Sequence, residues 1–260
     1  MQLVDTHCHI HSVDYPLDPE AVIARAHAAG VTRLLCVGTT AEDSERAVAF
    51  AAAHKNCWAT VGLHPHDAKA GERVFAQMEA IFTSVPGGGS KQKIVAIGEC
   101  GLDYFYGHSS KEDQEKALRF QIELAQRHNL PMIFHVREAF DDFWPIFDSY
   151  QHIRGVLHSF TDSAKNLDMA LARGLYIGVN GIATFTKNEW QQQVYKQIPL
   201  ERMLLETDAP FLTPVPLRGK VNQSAYLSHV GKFMSVLCEK PEDLLAAQTT
   251  DNAITLFNLQ

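Results

Sequence analysis

Val4-Asp5-Thr6-His7-Cys8-His9 closes the first apolar run of the chain, and its two histidines decide how the rest is read. Side chains of a strand alternate between its faces, so His7 and His9 project together. Two imidazoles side by side are half of a metal site. Four later apolar runs end on ligands of the same kind. Ile94-Val95-Ala96-Ile97-Gly98 leads into Glu99, and Pro131-Met132-Ile133-Phe134 into His135. Gly155-Val156-Leu157 leads into His158, and Met203-Leu204-Leu205-Glu206-Thr207 into Asp208. One such ending is a weak signal, whereas five of them at the C-terminal ends of five runs form a pattern.

Working outward, short runs rich in Val, Ile and Leu alternate with amphipathic segments. The expected strands are Leu3-Asp5, Arg33-Gly38, Trp58-Leu63, Ile94-Glu99, Met132-His135, Gly155-His158, Leu175-Asn180 and Met203-Glu206. Their unbroken apolar character suits strands buried on both faces of a parallel sheet. Helix signals lie between them. Asp18-Pro19-Glu20 reads as an N-cap with proline in the first turn, and Gly30 closes that helix. Thr40-Ala41-Glu42-Asp43 and Ser110-Lys111-Glu112-Asp113 open two more, the second reaching His128. Further helices are expected over Glu138 to Tyr150, Thr161 to Arg173, Ser224 to Glu239 and Pro241 to Thr250. Eight strands, each followed by a helix or a connection long enough for one, make an α/β chain of the (β/α)8 TIM barrel class. We read residues 1–260 as one barrel domain. The alternative, two domains linked through Pro86-Gly87-Gly88-Gly89-Ser90, leaves neither half with a complete barrel or ligand set.

The bulk numbers exclude several classes. At 260 residues and 46% hydrophobic, a large core is available. No run of 18 uncharged apolar residues suggests a membrane span. The start of the chain lacks a basic, apolar signal pattern, and the five cysteines form no C-x-x-C pair, so a reducing, cytoplasmic setting is expected. A net charge of -7 is a poor footprint for bulk electrostatic attachment to nucleic acid, but it leaves room for an enzyme that meets phosphates through metals and a few arginines. No obligate protein partner is evident.

In such a barrel the C-terminal strand ends gather the active site. His7, His9, Glu99, His135, His158 and Asp208 then become one cluster of four histidines and two carboxylates. That exceeds the three protein ligands of a usual catalytic zinc, and two divalent ions sharing a carboxylate would use all six. Glu99 is the bridge by strand order. His7, His9 and Asp208 would hold one ion, and His135 and His158 the other. Asp208 can also accept a proton from an attacking water, and with Glu99 it is expected to be catalytic; its other reading is a helix N-cap. Asp103 is either a loop cap or a partner that orients a histidine. His64 would touch substrate or support a ligand, with His66 a weaker candidate of the same kind. Arg137 and Arg218 suit phosphate oxygens, the alternative being solvated surface charge. Phe160, Phe185 and Phe211 would either stack on bases or pack beneath loops.

Several motifs together resemble one family. They are Asp5-Thr6-His7-Cys8-His9, Val61-Gly62-Leu63-His64-Pro65-His66, Ala96-Ile97-Gly98-Glu99-Cys100-Gly101-Leu102-Asp103-Tyr104 and Leu205-Glu206-Thr207-Asp208-Ala209-Pro210-Phe211-Leu212. His158-Ser159-Phe160-Thr161 and Tyr176-Ile177-Gly178-Val179-Asn180-Gly181 also match. In this order they resemble the TatD family of metal-dependent deoxyribonucleases over nearly the whole chain. The resemblance implies an amidohydrolase-like barrel and a two-metal site using Mg2+, Mn2+ or Zn2+. It also implies a phosphodiesterase acting on DNA, often as a 3′-exonuclease, and the six ligand positions match the family's. After Arg218-Gly219-Lys220 the family pattern continues with Arg-Asn-Glu-Pro, whereas this chain has Val221-Asn222-Gln223-Ser224, one positive charge fewer.

Two other functions fit the same residues. A small-molecule hydrolase of amides, lactones or phosphate esters could use this barrel. Many such relatives bridge their metals through a modified lysine on the fourth strand, where this chain has none. A non-catalytic metal-holding scaffold would have no need for six crowded ligands, since buried carboxylates and desolvated charge oppose folding.

Overall fold

The alternating pattern folds as eight strands with helices between them. The computed structural model describes residues 2–84 and 93–259, and Pro86-Gly87-Gly88-Gly89-Ser90 lies outside them. The strands are β1 (Leu3–Cys8), β2 (Val31–Cys36), β3 (Cys57–Val61), β4 (Ile94–Asp103), β5 (Met132–Arg137), β6 (Gly155–Leu157), β7 (Tyr176–Val179) and β8 (Met203–Leu205). The helices are α1 (Pro19–Ala28), α2 (Ala41–Ala53), α3 (Glu72–Ser84), α4 (Lys111–His128), α5 (Phe140–Asp148), α6 (Ala164–Ala172), α7 (Ile182–Phe185), α8 (Glu189–Gln197), α9 (Leu227–Leu237) and α10 (Glu242–Phe257). Strand order follows chain order from β1 to β8, the (β/α)8 barrel class expected from the sequence. The chain divides into two compact units, Met1–Leu35 with Ser159–Gln260, and Cys36–His158.

In the Cys36–His158 unit, β3 through β6 pair in parallel. Here β4 runs to Asp103 and β5 to Arg137, both beyond the expected ends. The reason is visible in β4, where Cys100 and Leu102 continue the fully buried run past Glu99. The register also shifts. Ile97 pairs with Met132 and Cys100 with Phe134, so three steps on β4 face two on β5. This bulge falls on Gly98-Glu99, and bulges re-aim the side chains they carry. Gly98 has φ 139°, and a Cβ there would meet the Ile133 carbonyl oxygen at 2.5 Å. Behind the strand, α4 buries Leu118, Ile122 and Leu124. It starts where expected, with Ser110 accepting from the Asp113 N–H.

In the other unit, β7 and β8 pair in parallel. A bridge between Cys8 and Ala209 joins the end of β1 to the chain beyond β8. Asp18 caps α1 by accepting from the Ala21 N–H. α10 extends past Thr250 to Phe257 because Ala253, Leu256 and Phe257 are also buried. The expected helix from Ser224 begins as a 3-10 turn, and α9 proper starts at Leu227. α5 starts at Phe140 rather than Glu138, whose φ of 52° is not helical. The sequence reading did not delimit α3 or α8. In α3 the signal was present, since Met78, Ile81 and Phe82 are buried at helical spacing.

Candidate metal centre

In the unit that contains β1 and β8, the alternation of β1 carries two histidines to one place. His7 is fully buried and His9 nearly so, and their Nε2 atoms lie 3.2 Å apart. Asp208 Oδ1 lies 3.4 Å from His9 Nε2 and 3.7 Å from His7 Nε2. The Asp208 N–H donates to the His7 carbonyl at 2.8 Å, and φ 58° turns the residue. That left-handed conformation is one aspartate tolerates better than most residues. The three ligand atoms lie within 4.8 Å of one another. Two imidazole nitrogens and a carboxylate oxygen converging in a buried spot fit a divalent ion.

Asp5, a residue the sequence reading did not single out, braces this group from below. Its carboxylate accepts from Thr207 Oγ1 at 2.6 Å and from the Thr207 N–H at 2.9 Å. Burial pushes the Asp5 carboxyl up to about 7, against the pull of the hydrogen bonds from Thr207, Ser224 and His7.

In the Cys36–His158 unit the centre is Glu99, buried on its bulge. Its Oε1 lies 3.0 Å from His135 Nδ1, 3.5 Å from His64 Nε2 and 3.7 Å from His158 Nε2. His64, Glu99 and His135 likewise bring three ligand atoms within 4.8 Å of one another. His64, read from sequence as a substrate contact or a support, thus stands among groups of ligand type. Imidazoles gathered on one carboxylate oxygen again fit a divalent ion.

Asp103 holds this arrangement in place. Its Oδ2 accepts from His135 Nε2 at 2.9 Å and lies 3.1 Å from His66 Nε2. Its Oδ1 accepts from the backbone N–H groups of Phe105 and Tyr106, at 3.0 and 3.1 Å. Burial works to raise the Asp103 carboxyl, but the hydrogen bonds from His135, Tyr106 and His66 outweigh it and hold it well below the usual carboxylate range. Burial works to lower His135, and the hydrogen bonds to Asp103 and Glu99 raise it instead. His66 is pushed down by burial and by neighbouring His64.

The model of the TatD-related DNase family matches residues 4–258. The chain belongs to the TatD family. It is 36% identical over 259 residues to an uncharacterized metal-dependent hydrolase of Bacillus subtilis, covering 99% of each chain. It is 34% identical over 264 residues to the 3'-5' ssDNA/RNA exonuclease TatD of Salmonella typhimurium, again covering 99% of each. A crystal structure of a TatD homologue from Escherichia coli K12 superposes with a TM-score of 0.90 at 31% identity, over 99% of this chain and 98% of that one. As a TatD-family member the protein is a metal-dependent hydrolase of ester bonds.

Outside the two clusters the remaining expected residues separate. Arg218 donates to the Thr213 carbonyl at 2.7 Å and lies over the Phe185 ring at 3.9 Å, so it is built into its own loop. Asn222, in the segment that departs from the family pattern, is buried and donates to the Thr207 carbonyl at 2.8 Å. Phe160 is buried, whereas Phe211 is 60% exposed with its ring 6.4 Å from that of His9. Arg137 is exposed at the end of β5 and lies against Phe105 and Tyr106, two residues the sequence reading missed. Their signal was an aromatic run, Tyr104-Phe105-Tyr106, directly after Asp103. Among the described residues no helix is long and apolar enough to cross a membrane.

Proposed function

We propose that this TatD-family hydrolase cleaves phosphodiester bonds of DNA from 3′ ends with two divalent ions, Mg2+, Mn2+ or Zn2+. His7, His9 and Asp208 would hold one ion, His135 and His158 the other, and Glu99 would be shared. The observation that carries this reading is the convergence of imidazole nitrogens on a carboxylate oxygen in each unit, at Asp208 and at Glu99. The nearness of His64 to Glu99 makes it a further candidate ligand. Bound divalent ions would supply Lewis-acid activation of water and charge stabilisation on the leaving oxygen. The chain's own part is to orient and to move a proton. Asp208 takes the proton of the attacking water at its carboxylate. Asp103 fixes the ring of His135. The exonuclease activity named for the Salmonella relative supports a 3′ to 5′ direction and an accessible single strand. We take residues 1–260 to act as one barrel domain, since each unit holds only part of the strand set and part of the ligand set. Four buried cysteines suit a cytoplasmic setting, and the proposal includes no obligate protein partner.

The test is a panel of single-stranded DNA, duplex DNA, RNA, a simple phosphodiester, an amide and a lactone, each with Mg2+, Mn2+ or Zn2+ after metal stripping. End-labelled DNA should shorten from its 3′ end. Asp208→Asn keeps size and some ligation but loses the base, so it should lower DNA turnover by roughly two to four orders of magnitude, with less effect on binding. Wild-type protein that leaves every nucleic acid intact while hydrolysing the lactone or amide would sink the nuclease reading.

A further inference from the structure

We infer that Phe105, Tyr106 and Arg137 form a nucleotide-binding shelf that stacks a base and grips the adjoining phosphate, and so selects single-stranded nucleic acid ends. The inference rests on the nuclease reading above. All three residues belong to the Cys36–His158 unit, as do Glu99 and His135.

Phe105 and Tyr106 are 51% and 52% exposed. Single exposed apolar side chains are ordinary. Two large adjacent rings, ordered and open beside a cluster of charged groups, call for a reason. Their order comes from Asp103, whose Oδ1 accepts both backbone N–H groups. The other oxygen of the same carboxylate accepts from His135, so one side chain sets both the shelf and the ring beside Glu99. Contact is continuous along the way. The Tyr106 ring lies 5.2 Å from His66, His66 lies 4.3 Å from His64, and His64 lies 4.7 Å from His135.

Arg137 supplies the charge. Its guanidinium carbon lies 3.9 Å from the Phe105 ring centre and 4.9 Å from that of Tyr106. Among the described residues no carboxylate pairs with it. A guanidinium lying on a ring keeps its N–H edge free for a phosphate, and its outer plane can itself stack on a base. The two exposed rings stand at 89° to one another, so each offers its own face to a base, and beside them a planar cation without a carboxylate partner matches the alternation of base and phosphate in a nucleic acid strand. Stacking tolerates any base, because every base has a π-face. A base in a duplex must first be unpaired and unstacked, at a free-energy cost that a single strand or frayed end does not bear. Arg218 is tied to Thr213 and Phe185 and does not offer the same open pairing of ring and charge.

The test uses metal-loaded full-length protein and two single-stranded oligonucleotides, one ending in an ordinary 3′ nucleotide and one in an abasic tetrahydrofuran residue. Cleavage is followed by end label. Binding is followed by fluorescence anisotropy on phosphorothioate-linked strands. Wild type should favour the base-bearing end by roughly tenfold to a hundredfold, the usual worth of one stacked base. The pair Phe105→Ala with Tyr106→Ala should erase that preference. Phe105→Leu with Tyr106→Leu keeps apolar bulk, so lost preference at wild-type metal content would trace the effect to the aromatic faces rather than to a collapsed loop. Arg137→Ala should flatten the dependence of log binding constant on log salt by roughly 0.7 for a single strand. Wild type that treats both ends alike, or variants that keep the preference and the salt slope, would overturn the shelf while leaving the nuclease reading intact. Wild type that cleaves no nucleic acid but turns over a lactone or amide would overturn both.

Discussion

Glu99 and Asp103 lie four positions apart on β4 and do different work. Glu99 meets three imidazoles at one oxygen, while Asp103 stands behind them and spends its lone pairs on orientation. If Glu99 is the shared ligand, Glu99→Gln should lose bound metal and activity together. His135→Ala should weaken mainly one ion and be partly rescued by excess metal. Plasma emission analysis after dialysis reads both, and full occupancy in Glu99→Gln would contradict the shared role. Asp103→Asn keeps the shape but weakens the acceptor that holds His135, so metal affinity should drop by roughly 10- to 100-fold. Wild-type affinity in that variant would return Asp103 to a simple loop cap. The cysteines give a check of packing. Cys8, Cys36, Cys57 and Cys100 are buried, and Cys238 is partly open with burial pushing its thiol up. A thiol reagent should label Cys238 alone and slowly in the folded protein, and all five thiols after denaturation. Fast labelling of a second thiol would show that the buried set opens.

The elements matter through their ends and irregularities. Without its bulge, β4 would keep a plain alternation, and Glu99 would not be aimed by an extra residue. Gly98 permits the bulge through its positive φ and the close Ile133 carbonyl. Gly98→Ala should therefore destabilise the fold by roughly 2 kcal/mol or more, read as a lower urea midpoint with an unchanged slope. An unchanged midpoint would mean that the strand shifts to accept a Cβ. Ser110 caps α4, the helix behind β4. Ser110→Ala should cost about 1 kcal/mol, a drop of roughly 2–4 °C in Tm for a chain of this size. Calorimetry decides it.

For the whole molecule, convergent imidazoles and carboxylates are more crowded without cations than with them. Metal binding to the folded state adds stability by mass action, about 2.7 kcal/mol when free metal is a hundredfold above Kd. Melting curves should therefore shift upward with added metal, in proportion to the logarithm of its concentration, and fall back with a chelator. A Tm indifferent to metal would argue against any ion at either cluster.

Which residues end the apolar runs, and on which face His7 and His9 project, is local physics, and the chain determined it alone. The eight-strand pattern followed for the same reason, since period, caps and apolar runs are read within a dozen residues. What the neighbours decide was not legible. The extension of β4 to Asp103 and its bulge at Glu99 depend on register against β5, which no single strand contains. His64, in the segment after β3, comes within 3.5 Å of Glu99 because β3 and β4 pair side by side. Phe105 and Tyr106 read from sequence as an ordinary aromatic run after a strand. Only the tertiary structure, by pairing the end of β4 with the end of β5 and passing hydrogen bonds through Asp103, sets them beside Arg137 and on the carboxylate that holds His135.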